Sequence, residues 1–472
     1  MKKSVIASTT ALLGFLLGGC ASDTEYKTPA VELSKDAWSS DWQVATPADT
    51  EPRGPWWQAF GDPVLDALQQ RIDTANLTLA SALFRYNQAN ELANQARAQQ
   101  LPNVDASASV LRNRQSDDRP LRGATQPATY GANTLGVTAT YELDLWGRVR
   151  NLVAANEAQA QAAAADMENV RLSLHAALAD HYVVLRGHDA QLRLYARTIE
   201  NYERALTLTK NRHEGGIASG LDVSRAQTQL STARAQLAEL HAQRSLHLHA
   251  IAVLLGEPPQ TFTLAENESA LNLPDVPAGL PSTLLQRRPD IAAAERRVAA
   301  AHAKVGVART AFFPTFSLGA QYGFQNSGAN SWLSAPNSFW TFGPFTVLNL
   351  FDGGARKAQV AQARANLDQA GADYRSAVLT AYQQVEDEMA KLRAYGTGIG
   401  DQSQAAQSAE RAASLALSRY RDGAVSYLDV VNAQTVLLQV QRDLLSLQTR
   451  RLLSGVGLVR ALGGGWSGTS RG

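Results

Sequence analysis

One segment with a turn at its centre occurs twice in this chain, and this repeat constrains the fold more than any other feature. Residues 419–437 read RYRDGAVSYLDVVNAQTVL, and residues 212–230 read RHEGGIASGLDVSRAQTQL. Ten of the nineteen aligned positions are identical, and the alignment needs no gap. A single copy would indicate an ordinary helix-turn-helix corner, but two copies with the same polar residues predict a duplicated architecture.

Each copy predicts a helical hairpin. A long segment rich in Ala, Leu, Arg and Gln leads into the turn, and a second such segment begins after it at Leu-Asp-Val. Gly216 and Gly423 can take the left-handed conformation that ends the first helix. Ser219 and Ser426 can cap the second helix.

The amino terminus has the composition of a secretory leader. Residues 1–19 contain two lysines and a short apolar run that ends in Gly18 and Gly19, and the run is too short to span a bilayer as a helix. Cys20 is the only cysteine, so it has no partner for an intrachain disulfide. Leu17-Gly18-Gly19-Cys20 resembles the bacterial lipobox, which implies cleavage before Cys20 and its modification by diacylglycerol and an N-acyl (palmitoyl) chain. The alternative is a plain signal peptide with an incidental cysteine.

Composition shifts and helical or strand periodicity divide the chain into six segments. They are a leader (1–19), an extended arm (20–62), a first repeat (63–255) with a β-hairpin at 103–144, a proline-rich linker (256–282), a second repeat (283–462) with a β-hairpin at 315–350, and a C-terminal tail (463–472).

Four segments read as strands of about ten residues, the length that a tilted strand needs to cross a bilayer. They are 103–113, 133–144, 315–324 and 340–350. Eleven of the 33 aromatic residues fall within 312–351, and such crowding is typical of the aromatic girdles of a membrane barrel. The alternative is a soluble hairpin with a buried aromatic face.

A very long helical segment follows each hairpin. Its alanine density favours close helix packing, as in coiled coils. We expect breaks at Arg186-Gly187 and in the glycine-rich stretch 396–400, because glycine is unfavourable inside a helix.

Motifs for catalysis or metal binding are missing from the sequence. It contains no phosphate-binding loop, GxSxG or HExxH. The eight histidines lack the spacing that brings ligands together on one helix, so we expect solvated histidines, no metal site and no cofactor other than the lipid on Cys20. The 44 basic and 43 acidic residues give a net charge of +1 without a basic stripe, so nucleic-acid binding is not expected either.

Four membrane-length strands cannot close into a barrel, and lipid does not tolerate open sheet edges. The chain must therefore associate with its copies. Two copies would give eight strands, a barrel filled by its own side chains, whereas three would give twelve strands and room for an aqueous lumen. Three copies fit better with long helices below the barrel.

Several motifs together resemble one family. They are the lipobox at Cys20, YELDLWGR at 141–148, LPS at 280–282 with RRPDI at 287–291, LFDGG at 350–354 and ALGGGW at 461–466. The chain is similar in these to the TolC-like outer-membrane factors, most closely the OprM-type (NodT) lipoprotein branch. The resemblance implies a mainly α protein with a membrane β-barrel: a trimer with twelve strands, four per chain, on a long α-helical periplasmic barrel.

The resemblance also implies a function. Such a protein is the lipid-anchored outer-membrane channel of a tripartite efflux pump, a passive exit duct without enzymatic activity. Its partners would be two copies of itself, a periplasmic adaptor (membrane fusion protein) and an inner-membrane transporter of the resistance-nodulation-division class. The alternatives are the outer-membrane component of a type I protein-export system and a periplasmic coiled-coil scaffold lipoprotein without a pore.

In the family, the repeated turns are the closed periplasmic tips of the channel, and this implies gate residues. They are Leu428 as an apolar constriction, Asp429 and Asp222 as acidic rings near it, Tyr420 as a nearby aromatic, and Asn432, where many relatives have a second Asp. Val425 replaces an Arg that locks the gate in some relatives, so a strong salt-bridge lock is not expected. The alternative is that Asp222 and Asp429 only cap their helices.

Overall fold

The computed structural model describes residues 54–116, 127–267, 271–273, 287–328 and 332–464. The predicted leader, Cys20, the LPS motif and Trp466 lie outside these ranges, as do parts of the predicted arm, linker and tail. The helices are α1 (Pro63–Ala75), α2 (Leu77–Ala98), α3 (Arg148–Glu214), α4 (Gly220–Leu254), α5 (Pro289–Thr310), α6 (Ala355–Arg421) and α7 (Tyr427–Ala461). The strands are β1 (Asn103–Arg114), β2 (Thr129–Leu143), β3 (Thr315–Asn326) and β4 (Ser338–Val347).

The described chain forms two compact units. A sheet unit comprises Arg85–Ala163 and Ala293–Tyr374, and a helical unit comprises 54–84, Ala164–Ala292 and 375–464. No helix in the described ranges has both the length and the hydropathy of a transmembrane segment.

The sheet unit contains one four-stranded antiparallel sheet in the order β1-β2-β3-β4. This confirms the four strands expected from the alternating pattern. β2 begins four residues earlier than expected, because Thr129 pairs with Arg114 at the end of β1. The aromatic side chains of β4 are not buried within the chain, since Trp340 is 75% and Phe342 is 65% exposed. The alternative of a soluble hairpin requires a buried aromatic face. In the single chain these aromatic side chains of the sheet are exposed instead.

The two repeats join strand to helix in the same way. Asp144 accepts hydrogen bonds from the backbone N–H of Val149 and Arg150 (3.0 and 2.8 Å) and so caps α3. Asp352 accepts from the N–H of Gly354 and Arg356 (2.9 and 3.1 Å) and so caps α6. A capping carboxylate also interacts favourably with the positive end of the helix dipole.

Trp146, at the first strand-to-helix junction, is fixed by contacts with the second repeat. The indole Nε1–H of Trp146 donates to the carbonyl oxygen of Pro314 at 2.7 Å, and its ring stacks on Phe313 with 4.9 Å between centroids. The motif YELDLWGR therefore ties β2 to the start of β3.

The expected helix breaks are wrong, because α3 and α6 are each continuous over 67 residues. Their glycines instead permit close approach to α7. A Cβ at position 187 would lie 2.6 Å from Oγ1 of Thr449, and a Cβ at position 398 would lie 3.1 Å from Leu447. Packing against a neighbouring helix outweighs the weak helix propensity of glycine.

Two apolar cores lie within the described residues of the helical unit. One surrounds Tyr182, whose hydroxyl donates to Asp62 at 2.7 Å, and includes Phe60 and Leu65. The other lies beside the repeated turns and brings together Leu230 of the first hairpin with Tyr420 and Tyr427 of the second. The second core ties both hairpins into one packed region.

Candidate functional site

The two repeated turns have nearly the same backbone. Gly216 and Gly423 have φ values of 77° and 78°, in the left-handed region that favours glycine. Behind each glycine, the chain folds back on the preceding helix: the N–H of Ile217 donates to the carbonyl of Arg212, and the N–H of Ala424 donates to the carbonyl of Arg419, both at 2.8 Å. The sequence repeat thus produces a structural repeat at the turn.

Both acidic residues of the repeat are occupied in capping. The hydroxyl of Ser219 donates to the carboxylate of Asp222 at 2.9 Å, and the hydroxyl of Ser426 donates to that of Asp429 at 2.8 Å. The backbone N–H of each serine donates to the same carboxylate, at 3.3 and 3.1 Å. The capping role is confirmed at both turns, and a further role of these carboxylates in a gate stays a prediction.

The predicted constriction residue is accessible in the single chain. Leu428 is 42% exposed, and Asn432 one turn further along α7 is exposed as well. The equivalent leucine of the first turn, Leu221, is 59% exposed. An exposed leucine at each turn is available for contacts with other chains.

Tyr420 lies in the core behind the turn. Its ring is buried and meets the ring of Tyr427 edge to face, with 5.2 Å between centroids. We define the turn cluster as Tyr420 and Tyr427 with the buried residues Tyr202, Leu206, Ala226, Leu230 and Val430. Burial raises the pKa of Tyr427 to about 12, while a hydrogen bond with Thr209 opposes this shift. The tyrosine pair places the start of α7 on α3 and α4.

Tyr427 and Arg212 contribute to the turns, but the sequence did not predict either of them as a site residue. Tyr427 has Gly220 as its counterpart in the first copy, so the repeat gives no signal for it. Arg212 is identical to Arg419 in the repeat, yet among the described residues only the guanidinium of Arg212 donates hydrogen bonds to the other hairpin. Its Nη1 donates to the carbonyl oxygens of Tyr420 and Arg421, at 2.9 and 3.0 Å.

The expectation of solvated histidines is wrong for a cluster between α3 and α4. The Nδ1 atoms of His181 and His247 are 3.0 Å apart, and the rings of His188 and His247 are 5.4 Å apart between centroids. Burial lowers the pKa of all three, and the mutual repulsion of their charged forms lowers that of His247 further. The sequence could not show this, because His247 comes from another helix and its register against α3 depends on packing.

His175 is also buried, with its Nδ1 2.6 Å from Oε1 of Gln69 and its ring stacked on Trp57. His249 is exposed, as expected. Among the described residues, no group of three or more His, Cys, Asp or Glu side chains could hold a metal ion.

An open pocket of about 450 Å³ lies next to the histidine cluster and is lined by residues of the helical unit. Its lining includes Asp180 from α3, Glu388 from α6 and Arg460 from α7. Burial raises the pKa of Asp180 to about 6, against the attraction of Arg460, which lowers it, and with a smaller contribution from Glu388, which raises it. Asp180 therefore titrates closer to neutral pH than an ordinary aspartate.

Comparison with known proteins places nearly the whole chain in one group. The model of the family "Outer membrane efflux protein" matches residues 68–257 and 280–464. The chain is 34% identical over 464 residues to the pyoverdine export outer membrane protein OpmQ of Pseudomonas aeruginosa, covering 97% of this chain and 96% of that protein. It is 33% identical over 471 residues to the toluene efflux pump outer membrane protein TtgC of Pseudomonas putida, covering 99% and 96%.

Solved structures give the same picture. The outer-membrane channel OprN has a TM-score of 0.85 at 31% sequence identity, and the match covers 95% of this chain and 100% of that one. The outer membrane protein VceC of Vibrio cholerae has a TM-score of 0.82 at 28% identity, covering 89% of this chain and 100% of that one.

Proposed function

This chain belongs to the outer membrane efflux protein family, and we propose that it is the outer-membrane channel of a tripartite efflux pump. The observation that carries this is the extent of the similarity, which includes both the sheet and both helical hairpins. Relatives along the full length are named for efflux or export of pyoverdine, toluene and antibiotics. Small toxic compounds are therefore the proposed cargo, rather than the proteins of a type I export system.

The proposed channel is a homotrimer with a twelve-stranded barrel in the outer membrane. Each chain supplies four strands of 10 to 15 residues, and in the described chain β1 and β4 each have only one strand neighbour. Exposed apolar side chains on these strands, such as Val104, Val110 and Trp340, suit contact with lipid. Neighbouring chains would pair with the two outer strands and remove the open edges.

The proposed lipid anchor is Cys20, acylated with diacylglycerol and an N-acyl chain. The helices would reach into the periplasm, toward an adaptor and an inner-membrane transporter of the resistance-nodulation-division class. The family is one of transport proteins. We propose that the chain itself catalyses no reaction and uses no metal or organic cofactor, because the pump supplies the energy.

The proposed gate is formed by the turns. Leu428 from each copy closes the passage by apolar contact, and the acidic Asp222 and Asp429 lie near it, with Asn432 on the same helix. An apolar ring excludes water, whereas a carboxylate ring favours cations. Tyr420 supports the gate from the core, and opening is an outward swing of the hairpin 419–437.

The experiment is electrical and genetic. Acylated protein purified from outer membranes should form ion-conducting channels in planar lipid bilayers, and a deletion strain should become more sensitive to solvents and antibiotics. Returning the gene to the deletion strain should restore resistance. A variant that lacks the hairpin 315–350 is the control: it keeps the leader but has no complete sheet, and it should not restore resistance. Protein that salt extracts as a helical monomer and that never conducts would contradict the channel and favour the scaffold.

A further inference from the structure

We propose that Arg212 is a latch that holds the second hairpin turn in the closed position by binding the end of α6. Arg212 is a positioning residue for the gate rather than part of the constriction. The inference rests on the proposed function as a gated channel.

The contacts of Arg212 reach from one hairpin to the other. The residue is in the last turn of α3, and its guanidinium donates to the carbonyl oxygens of Tyr420 and Arg421, the last two residues of α6. The same guanidinium lies over the ring of Tyr420, 4.8 Å from the centroid. Three favourable contacts thus connect a single side chain to the start of the second turn.

These contacts can hold the guanidinium of Arg212 strongly, although none of them is made to a carboxylate. The last carbonyls of a helix lack partners within the helix and carry the negative end of its dipole, so a cation there is stabilised. Hydrogen bonds from a charged donor are stronger than neutral ones, and a guanidinium on an aromatic face adds to them. Arg212 is half-buried, which limits screening by solvent.

The latch is connected to the constriction through two tyrosines. The ring held by Arg212 belongs to Tyr420, which packs edge to face on Tyr427. Tyr427 directly precedes Leu428 and is fully buried in the turn cluster. An outward swing of the hairpin 419–437 would carry the carbonyls of Tyr420 and Arg421 away from Arg212. The gate therefore cannot open by this movement without breaking the latch.

The repeat provides a matched control. Arg419 is the counterpart of Arg212 in the second copy, but it is exposed, and its side chain makes no hydrogen bond or ion pair within the described part of the chain. The latch is thus a property of the position on the first hairpin and not of the repeated motif.

The structure also distinguishes this latch from a tyrosine hydroxyl or salt-bridge lock. The hydroxyl of Tyr420 is buried and has no hydrogen-bond partner among the described residues. Position 425 carries valine, so the second turn offers no arginine there. The acceptors of Arg212 are two backbone carbonyl oxygens and the face of an aromatic ring, so the latch contains no carboxylate.

The test is single-channel recording from the full-length acylated protein in planar bilayers, with Arg212→Gln and Arg419→Gln compared with the wild type. We expect Arg212→Gln to raise the fraction of time open by roughly tenfold, since it removes charge-assisted hydrogen bonds. Arg419→Gln should remain as closed as the wild type. Arg212→Lys should be intermediate, because an ammonium keeps the charge but cannot stack flat on the ring.

Two further readouts separate the latch from other roles. The melting temperature of the purified trimer tests whether Arg212→Gln only weakens the fold, and Arg212→Lys provides a second variant should the glutamine variant not fold. The ratio of open times between Arg212→Gln and wild type should be the same at about pH 5.5 and about pH 8, whereas a carboxylate lock would weaken in acid.

The outcomes are distinct. A conducting wild type whose open time is unchanged by both Arg212→Gln and Arg212→Lys overturns the latch and leaves the channel intact. An increase that Arg419→Gln shares overturns it too. A wild type that does not conduct overturns the proposed function itself.

Discussion

At the scale of single residues, Leu428 is the side chain on which the gate proposal depends most directly. Truncation to alanine would remove about 1 to 2 kcal/mol of apolar contact per chain from the closed state. Over the three chains of the proposed gate this amounts to about 3 to 6 kcal/mol, so Leu428→Ala should raise the ratio of open to closed time by roughly two to four orders of magnitude, and the uptake of large antibiotics should rise with it. Leu221→Ala is the matched control on the first turn and should behave like the wild type. Unchanged conductance and uptake in Leu428→Ala would remove this residue from the gate.

Asp180 gives a prediction with a definite pH dependence. Its pKa is raised from 3.8 to about 6 by burial, so the folded chain binds the proton more tightly than the unfolded chain. The neutral carboxyl favours folding below about pH 4, and this contribution is lost as the pH rises through about 6. Asp180→Asn should therefore raise the free energy of unfolding at pH 7.5 by up to ~3 kcal/mol, which is measured as a higher melting temperature. The gain should be much smaller at pH 4.

The control for Asp180 is Asp401→Asn on α6, an exposed aspartate that should change little at either pH. A gain from Asp180→Asn that is equal at both pH values would show that the amide acts by packing and not by removing a charge.

The residues of the turns show what a sequence can and cannot reveal. The glycines and capping serines were predictable, because the conformation of a tight turn is decided within a few residues. Arg212 and Tyr427 were not predictable as site residues, because their roles depend on which helix faces them. The proposed gate residues come from the resemblance to the family, and the structure shows how they are capped and packed.

At the scale of elements, strands were easier to predict than helix continuity. Alternation of side chains along β2 and β3 is a local signal of a sheet with two different faces. A glycine within a long helical segment gives no local signal of its role. Glycine ends some helices, and in others it allows a neighbouring helix to pack closely. Gly187 and Gly398 belong to the second kind, because α7 passes within reach of both.

Gly187 therefore yields an element-scale prediction. Gly187→Ala should destabilise the protein by about 1 to 3 kcal/mol, because the added methyl would clash with Thr449, whose hydroxyl is fixed by a hydrogen bond to the carbonyl of Leu445. Gly400→Ala on α6 meets nothing within 4 Å and should stabilise by up to about 1 kcal/mol, the difference in helix propensity. Thermal melting of both variants makes the comparison. Equal effects of the two substitutions would contradict a role for Gly187 in close packing.

At the scale of the whole molecule, the sheet is the element that requires partners. Its two outer strands each lack a second neighbour in the described chain, and side chains such as Trp340 and Phe342 are exposed on it. A single chain with these properties could not be stable in lipid. Three chains satisfy the backbone of every strand and enclose a passage at the same time.

The mass of the acylated protein, extracted from outer membranes in mild detergent and measured by native mass spectrometry, tests this claim most directly. We predict the mass of three chains, each with its acyl groups, and dissociation only under denaturing conditions. A stable species with the mass of one acylated chain would contradict the shared barrel, and with it the proposed channel and its gate.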